Sequence, residues 1–147
     1  MKKVLFFLLL LACNRGYTQL SIVTGYDYIG RNTFHTGLAS DIDISEHWAA
    51  LLTTGVHLTG YEGSTRGIFE ATGAISYNRI FAGATCTPYS VIPKIGVGQK
   101  DLYLYVGYAI PTKDHSPLDK GIAVGVNINP LYVLMLPLAL IIGDPLK

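Results

Sequence analysis

Side chains able to do chemistry are few and scattered in this 147-residue chain. The four histidines, His35, His47, His57 and His115, stand at separations that match no metal-ligand spacing along the chain. Asp41 and Asp43 would share one face of a strand, but the rest of a calcium loop is missing. Gly96-Val97-Gly98 follows a strand-like segment, yet Asp101 stands where a dinucleotide-binding fingerprint needs its third glycine. Gly60 to Gly67 is glycine-rich and lacks the lysine and hydroxyl pair of a phosphate-binding loop. Asp114-His115-Ser116 collects the residue types of a hydrolase. Three consecutive side chains do not readily form the chain from nucleophile to base to orienting acid, which is assembled in space. The expectation is therefore no catalytic residue, no metal and no cofactor.

The elements that would have to position such residues are strands. Gly121 to Ile128 puts Ile122, Val124, Val126 and Ile128 on one face and Gly121, Ala123, Gly125 and Asn127 on the other. Leu102 to Ile110 alternates in the same way, with large apolar residues opposite glycine, alanine and two tyrosines. A soluble sandwich sets charged residues opposite its core face, whereas these two segments carry no formal charge on either side. The same pattern predicts eight strands: Leu20 to Ile29, Phe34 to Asp43, Trp48 to Gly60, Gly67 to Tyr77, Ile80 to Thr87, Tyr89 to Gly98, Leu102 to Ile110 and Gly121 to Ile128. No helical period precedes Asn129.

An even strand count suits an all-β, eight-stranded antiparallel up-and-down membrane barrel, with short turns at one end and longer loops at the other. Connectors Gly30 to Thr33, Tyr61 to Arg66 and Pro111 to Lys120 form the long set; Ile44 to His47, Asn78-Arg79 and Gln99 to Asp101 form the short set. Pro88 leaves almost no loop after the fifth strand. Outward-parity aromatics gather in two girdles, Tyr26, Tyr28, Phe34 and Tyr108 at the loop ends and Trp48, Tyr77 and Phe81 at the turn ends. The inward parity is small and polar, with Asp27, His35, His57, Glu70, Lys94, Tyr103, Tyr105 and Asn127 among many glycines. Eight strands enclose only enough room for side chains. Glu70 and Lys94 are the expected internal ion pair.

Met1-Lys2-Lys3 followed by the apolar run Val4 to Ala12 reads as a signal peptide over residues 1–19, too short to span a bilayer. Leu10-Leu11-Ala12-Cys13 resembles a lipoprotein box, which would make Cys13 a lipidation site; ordinary cleavage after Gln19 is the alternative. Without residues 1–19 the chain holds eight basic and ten acidic residues, a formal charge of −2. Its scattered lysines and arginines form no basic stripe, so nucleic acid is not an expected partner. A barrel domain over 20–129 is followed by an apolar tail over 130–147. Within the tail, Leu131 to Ile142 is broken by Pro137 and too short to cross as a helix.

From Leu20 to Ile128 the chain resembles the small eight-stranded outer-membrane barrels of Gram-negative bacteria. Pro93 to Gly98, Asp101 to Tyr108 and Lys120 to Val126 look like the closing strands of small porin-like proteins. The resemblance implies residence in the outer membrane among its lipids and a non-enzymatic structural or surface-binding role. Tyr61, Glu62, Arg66, Lys113, Asp114, His115 and Asp119, on the two longest connectors, would meet an extracellular ligand or surface. The tail departs from the resemblance, since such barrels commonly end on an aromatic residue of the last strand. A soluble exported β-protein or periplasmic lipoprotein is the rival reading. A membrane-embedded lipid acyl hydrolase or transferase, as some such barrels are, is the third.

Overall fold

A computed structural model describes residues 18–99 and 102–131. Among them are eight strands: β1 (Thr18–Ile29), β2 (Asn32–Asp43), β3 (Trp48–Tyr61), β4 (Ser64–Tyr77), β5 (Ile80–Cys86), β6 (Ser90–Gln99), β7 (Leu102–Pro111) and β8 (Gly121–Ile128). Each pairs antiparallel with the next, and β1 pairs with β8 to close the barrel. Closure removes the two edges of an open sheet, although β8 covers β1 only from Thr24 on and β5 covers β4 only from Ala71 on. The expected eight strands and their order are those observed. Residues 1–17 of the expected signal peptide, Cys13 among them, and the run after Leu131 lie outside the described residues, whereas Thr18 and Gln19 begin β1 and pair with Ile42 and Asp41.

Several strand bounds differ from those expected, and two of the long connectors shorten to two residues. Tyr61 to Arg66 is not a loop: Tyr61 pairs with Ser64, so only Glu62 and Gly63 turn. Their φ values of 50° and 75° are both positive, the conformation whose twist matches the flanking ladder and lets the hairpin run to its tip. Likewise β2 starts at Asn32, leaving Gly30 and Arg31 between β1 and β2. Phe81 is also corrected, since it is buried rather than part of an outward girdle. Tyr77 pairs with Ile80 across a two-residue connector, which puts Ile80 outside and turns Phe81 inward against Tyr103 at 5.5 Å between ring centroids. The turn-end girdle keeps Trp48 and Tyr77, 5.0 Å apart.

Alternation sorts the side chains. Leu52, Phe69, Ile95, Leu104, Val106 and Val124 are exposed on the outside, while residues of the other parity are buried within. The interior is layered. Val23, Ala39, Leu51, Ala74, Phe81 and Tyr103 fill the turn end; Ile29, Ile68, Ile92, Ala109 and Ala123 fill the loop end. Between them the buried side chains are polar. Room for that layer comes from glycine: a Cβ on Gly125 would collide with Asp27 Oδ1 and the Tyr105 ring, and one on Gly25 with Asn127.

The loop Thr112–Lys120 closes the loop end. Pro117 and Leu118 are fully buried although they belong to no strand. Ser116 Oγ donates to Leu118 O at 2.7 Å and accepts from Leu118 N at 3.1 Å, curling the chain inward. Arg31 holds the returning limb with a two-pronged pair to Asp119 at 2.9 Å to each oxygen. Lys113, Asp114 and His115 are exposed, whereas the segment after them turns inward.

Candidate functional site

The buried polar layer is built from seven strands. Register brings it together: His35 on β2 pairs with His57 on β3, and Gly55, two residues from His57 on the same face, pairs with Glu70 on β4. Across the closure, Gly25 pairs with both His35 and Asn127, so the glycine gap lets Asn127 reach the histidine. Asp27, Lys94 and Tyr105 come from β1, β6 and β7.

Glu70 is the centre. Its Oε1 lies 2.5 Å from His35 Nε2 and its Oε2 lies 2.5 Å from His57 Nε2. His57 Nε2 is also 3.6 Å from Asp27 Oδ2. The two imidazoles meet edge to face, centroids 5.3 Å apart. His35 Nδ1 is 2.6 Å from Asn127 Oδ1, an atom that only accepts, so Nδ1 carries the hydrogen. All four of Asp27, His35, His57 and Glu70 are no more than 3 % exposed.

Glu70 and Lys94 both face inward as expected, but their close partners differ from those expected. Glu70 takes the two histidines; the Lys94 ammonium lies 4.4 Å from the centre of the Tyr105 ring and 3.5 Å from Thr72 Oγ1. Thr72 is in turn bonded to Thr85 at 2.7 Å. Lys94 is thus a longer-range countercharge to Glu70 and Asp27. The layer contains two carboxylates, one ammonium and two imidazoles.

Sequence spacing missed the histidine pair as a unit. His35 Nε2, His57 Nε2 and a Glu70 oxygen lie within 4.8 Å of one another, a donor set suited to a metal ion. Parity marked all three as inward; only the register shows that they share a height.

The loop-end rim forms a second polar group. Tyr61 is flanked by two guanidinium groups, Arg31 at 5.3 Å and Arg66 at 4.9 Å from its ring centre. Arg66 also pairs with Glu62 at 3.4 Å, and Arg31 links the group to Asp119. Four of the seven expected rim residues, Tyr61, Glu62, Arg66 and Asp119, are joined in this way through Arg31, which the sequence reading passed over. Lys113 stands 5.4 Å above the Tyr89 ring on the far side of the same loop. Ser116 of the hydrolase-like trio has its hydroxyl engaged within the loop's own turn. No protein-family model, curated protein or solved structure matches this chain.

Proposed function

We propose that the protein is an outer-membrane β-barrel with a side-chain-filled interior and a structural or surface-binding role, any partner meeting it at the loop-end rim. One observation carries this reading. Every charged residue within the described strands, Asp27, Asp41, Asp43, Arg66, Glu70 and Lys94, is on the inward parity, and the outward parity of all eight strands has no formal charge. Outside, large apolar side chains stand exposed from Leu20 on β1 to Val124 on β8. A continuous apolar band of that kind far exceeds the patches that monomeric soluble proteins display. Lipid tails tolerate it, and the closed antiparallel ring pairs each strand with a neighbour on both sides over part of its length. Trp48 and Tyr77 near the turns, with Tyr26, Tyr28, Phe34 and Tyr108 near the loops, suit the two interfaces of a bilayer. On this reading the Arg31–Tyr61–Arg66 group stands clear of the lipid and offers an aromatic ring and both charge signs to a surface or ligand.

The experiment is fractionation of cells expressing the full chain. The protein should remain with the membrane through high salt and carbonate, and its unboiled gel mobility should differ from its boiled mobility. Release by carbonate with identical mobilities would overturn the membrane reading in favour of a soluble exported β-protein.

A further inference from the structure

We infer that His35, His57 and Glu70 form a buried binding site for a divalent transition-metal ion, with Zn²⁺ the best-fitting class. The inference depends only on the interior of the barrel, not on where the barrel resides.

The argument begins with one hydrogen. Asn127 Oδ1 lies 2.6 Å from His35 Nδ1 and requires a donor there, so the neutral ring presents a bare lone pair at Nε2. That lone pair meets a carboxylate oxygen of Glu70 at 2.5 Å. Two lone pairs at this distance repel unless something positive lies between them. His35 Nε2 meets the Glu70 oxygen off the direction of a ring N–H, so the charge between them comes either from a bent ring proton or from a cation seated between the ligand atoms. The same question arises at His57, whose Nε2 also meets Glu70 at 2.5 Å and whose buried Nδ1 has no hydrogen-bond partner. A metal ion answers at both rings: imidazole nitrogen is its usual ligand, and an acceptor behind the ligating ring is the usual outer support, the part that Asn127 Oδ1 takes at His35.

The donor set also suits the ion's type. Two imidazoles and a carboxylate match zinc better than calcium or magnesium, which take oxygen cages. Zinc bonds of ~2.0–2.1 Å place tetrahedral ligands roughly 3.3 Å apart, so both 2.5 Å contacts open slightly as the ion enters. Asp27 Oδ2, 3.6 Å from His57 Nε2, is the nearest further carboxylate and supplies a second negative charge. The Lys94 ammonium opposes a cation, yet its close contacts are with the Tyr105 ring and Thr72 Oγ1. Apolar layers above and below, Ile29 with Leu118 and Phe81 with Tyr103, screen the site from solvent. An ion acquired during folding would therefore leave slowly.

The test uses the full chain folded from denaturant in detergent micelles with Zn²⁺, then desalted through EDTA. Elemental analysis should find about one zinc per chain, and X-ray absorption should show two imidazole nitrogens among ligands at ~2.0–2.1 Å. Folding with Co²⁺ instead should give visible ligand-field bands. The double variant His35→Asn with His57→Asn should lose the retained metal, and Lys94→Met should retain it against higher chelator concentration. Wild-type protein that folds yet retains no metal overturns the inference, leaving a trio held by protons. An oxygen-only shell, or full retention in the double variant, overturns it equally. The absorption measurement needs no variant, so a variant that fails to fold does not spare the inference.

Discussion

At the scale of single residues, Glu70 is the side chain on which the barrel's interior depends most. It faces two histidines at 2.5 Å each, is 2 % exposed, and lies where Asp27 and Lys94 make the remaining charge balance. Burying charge is costly, and the cost is offset only while every partner is present. Removing the carboxylate leaves two imidazoles facing each other and Lys94 opposed by Asp27 alone. Glu70→Ala should therefore lower stability by about 3–5 kcal/mol, as measured by reversible denaturant unfolding. Glu62→Ala is the comparison: Glu62 is exposed on the hairpin tip and among the described residues pairs with Arg66, so its loss should cost at most ~1 kcal/mol. Equal costs would mean that the interior layer is hydrated and the charges there are not truly buried.

At the scale of elements, each strand keeps its two parities chemically distinct, and that separation allows a sharper test of what the outside meets. Val106 sits in the middle of β7, exposed, between Ile95 on β6 and Val124 on β8. In lipid, Val106→Arg should destabilise refolding into vesicles by about 2–4 kcal/mol, the cost of a cation near the bilayer midplane. In water the same change would be nearly neutral. The strands themselves were legible because alternation and charge parity are local, and eight segments could be read from Leu20 to Ile128. What was not legible depended on register. His35, His57 and Glu70 were all placed inward, but a strand's parity says nothing of height along the barrel. Height is set by turn lengths, and the Glu62-Gly63 turn was hidden inside a longer apparent loop. Phe81 was misplaced although its turn, Asn78-Arg79, was read correctly: Tyr77 pairs with Ile80 across it, so Ile80 shares the outward face and Phe81 turns in. The burial of Leu118 left no sequence signal beyond an apolar residue in a polar loop.

At the scale of the whole molecule, the interior is a stack rather than a tube. From the loop end inward there is a lid of Pro117 and Leu118 held by Arg31 and Asp119, then the Ile29, Ile68 and Ile92 layer, then the charged layer, then Val23, Leu51, Phe81 and Tyr103. Eight strands enclose a space that side chains fill, and here no level of the stack is left to glycine alone. An ion crossing the barrel would have to shed its water against two apolar layers and pass the level that Glu70, His35 and His57 occupy. Opening the lid would not change this, because the charged layer and the aromatic floor remain below it. Purified protein in planar bilayers should accordingly give no steady conductance, and Leu118→Ala should give none either while losing about 2–5 kcal/mol of stability for a fully buried leucine. Steady porin-sized currents from the wild type would mean that the stack is not closed, either because more strands join the ring or because several chains assemble around a shared lumen.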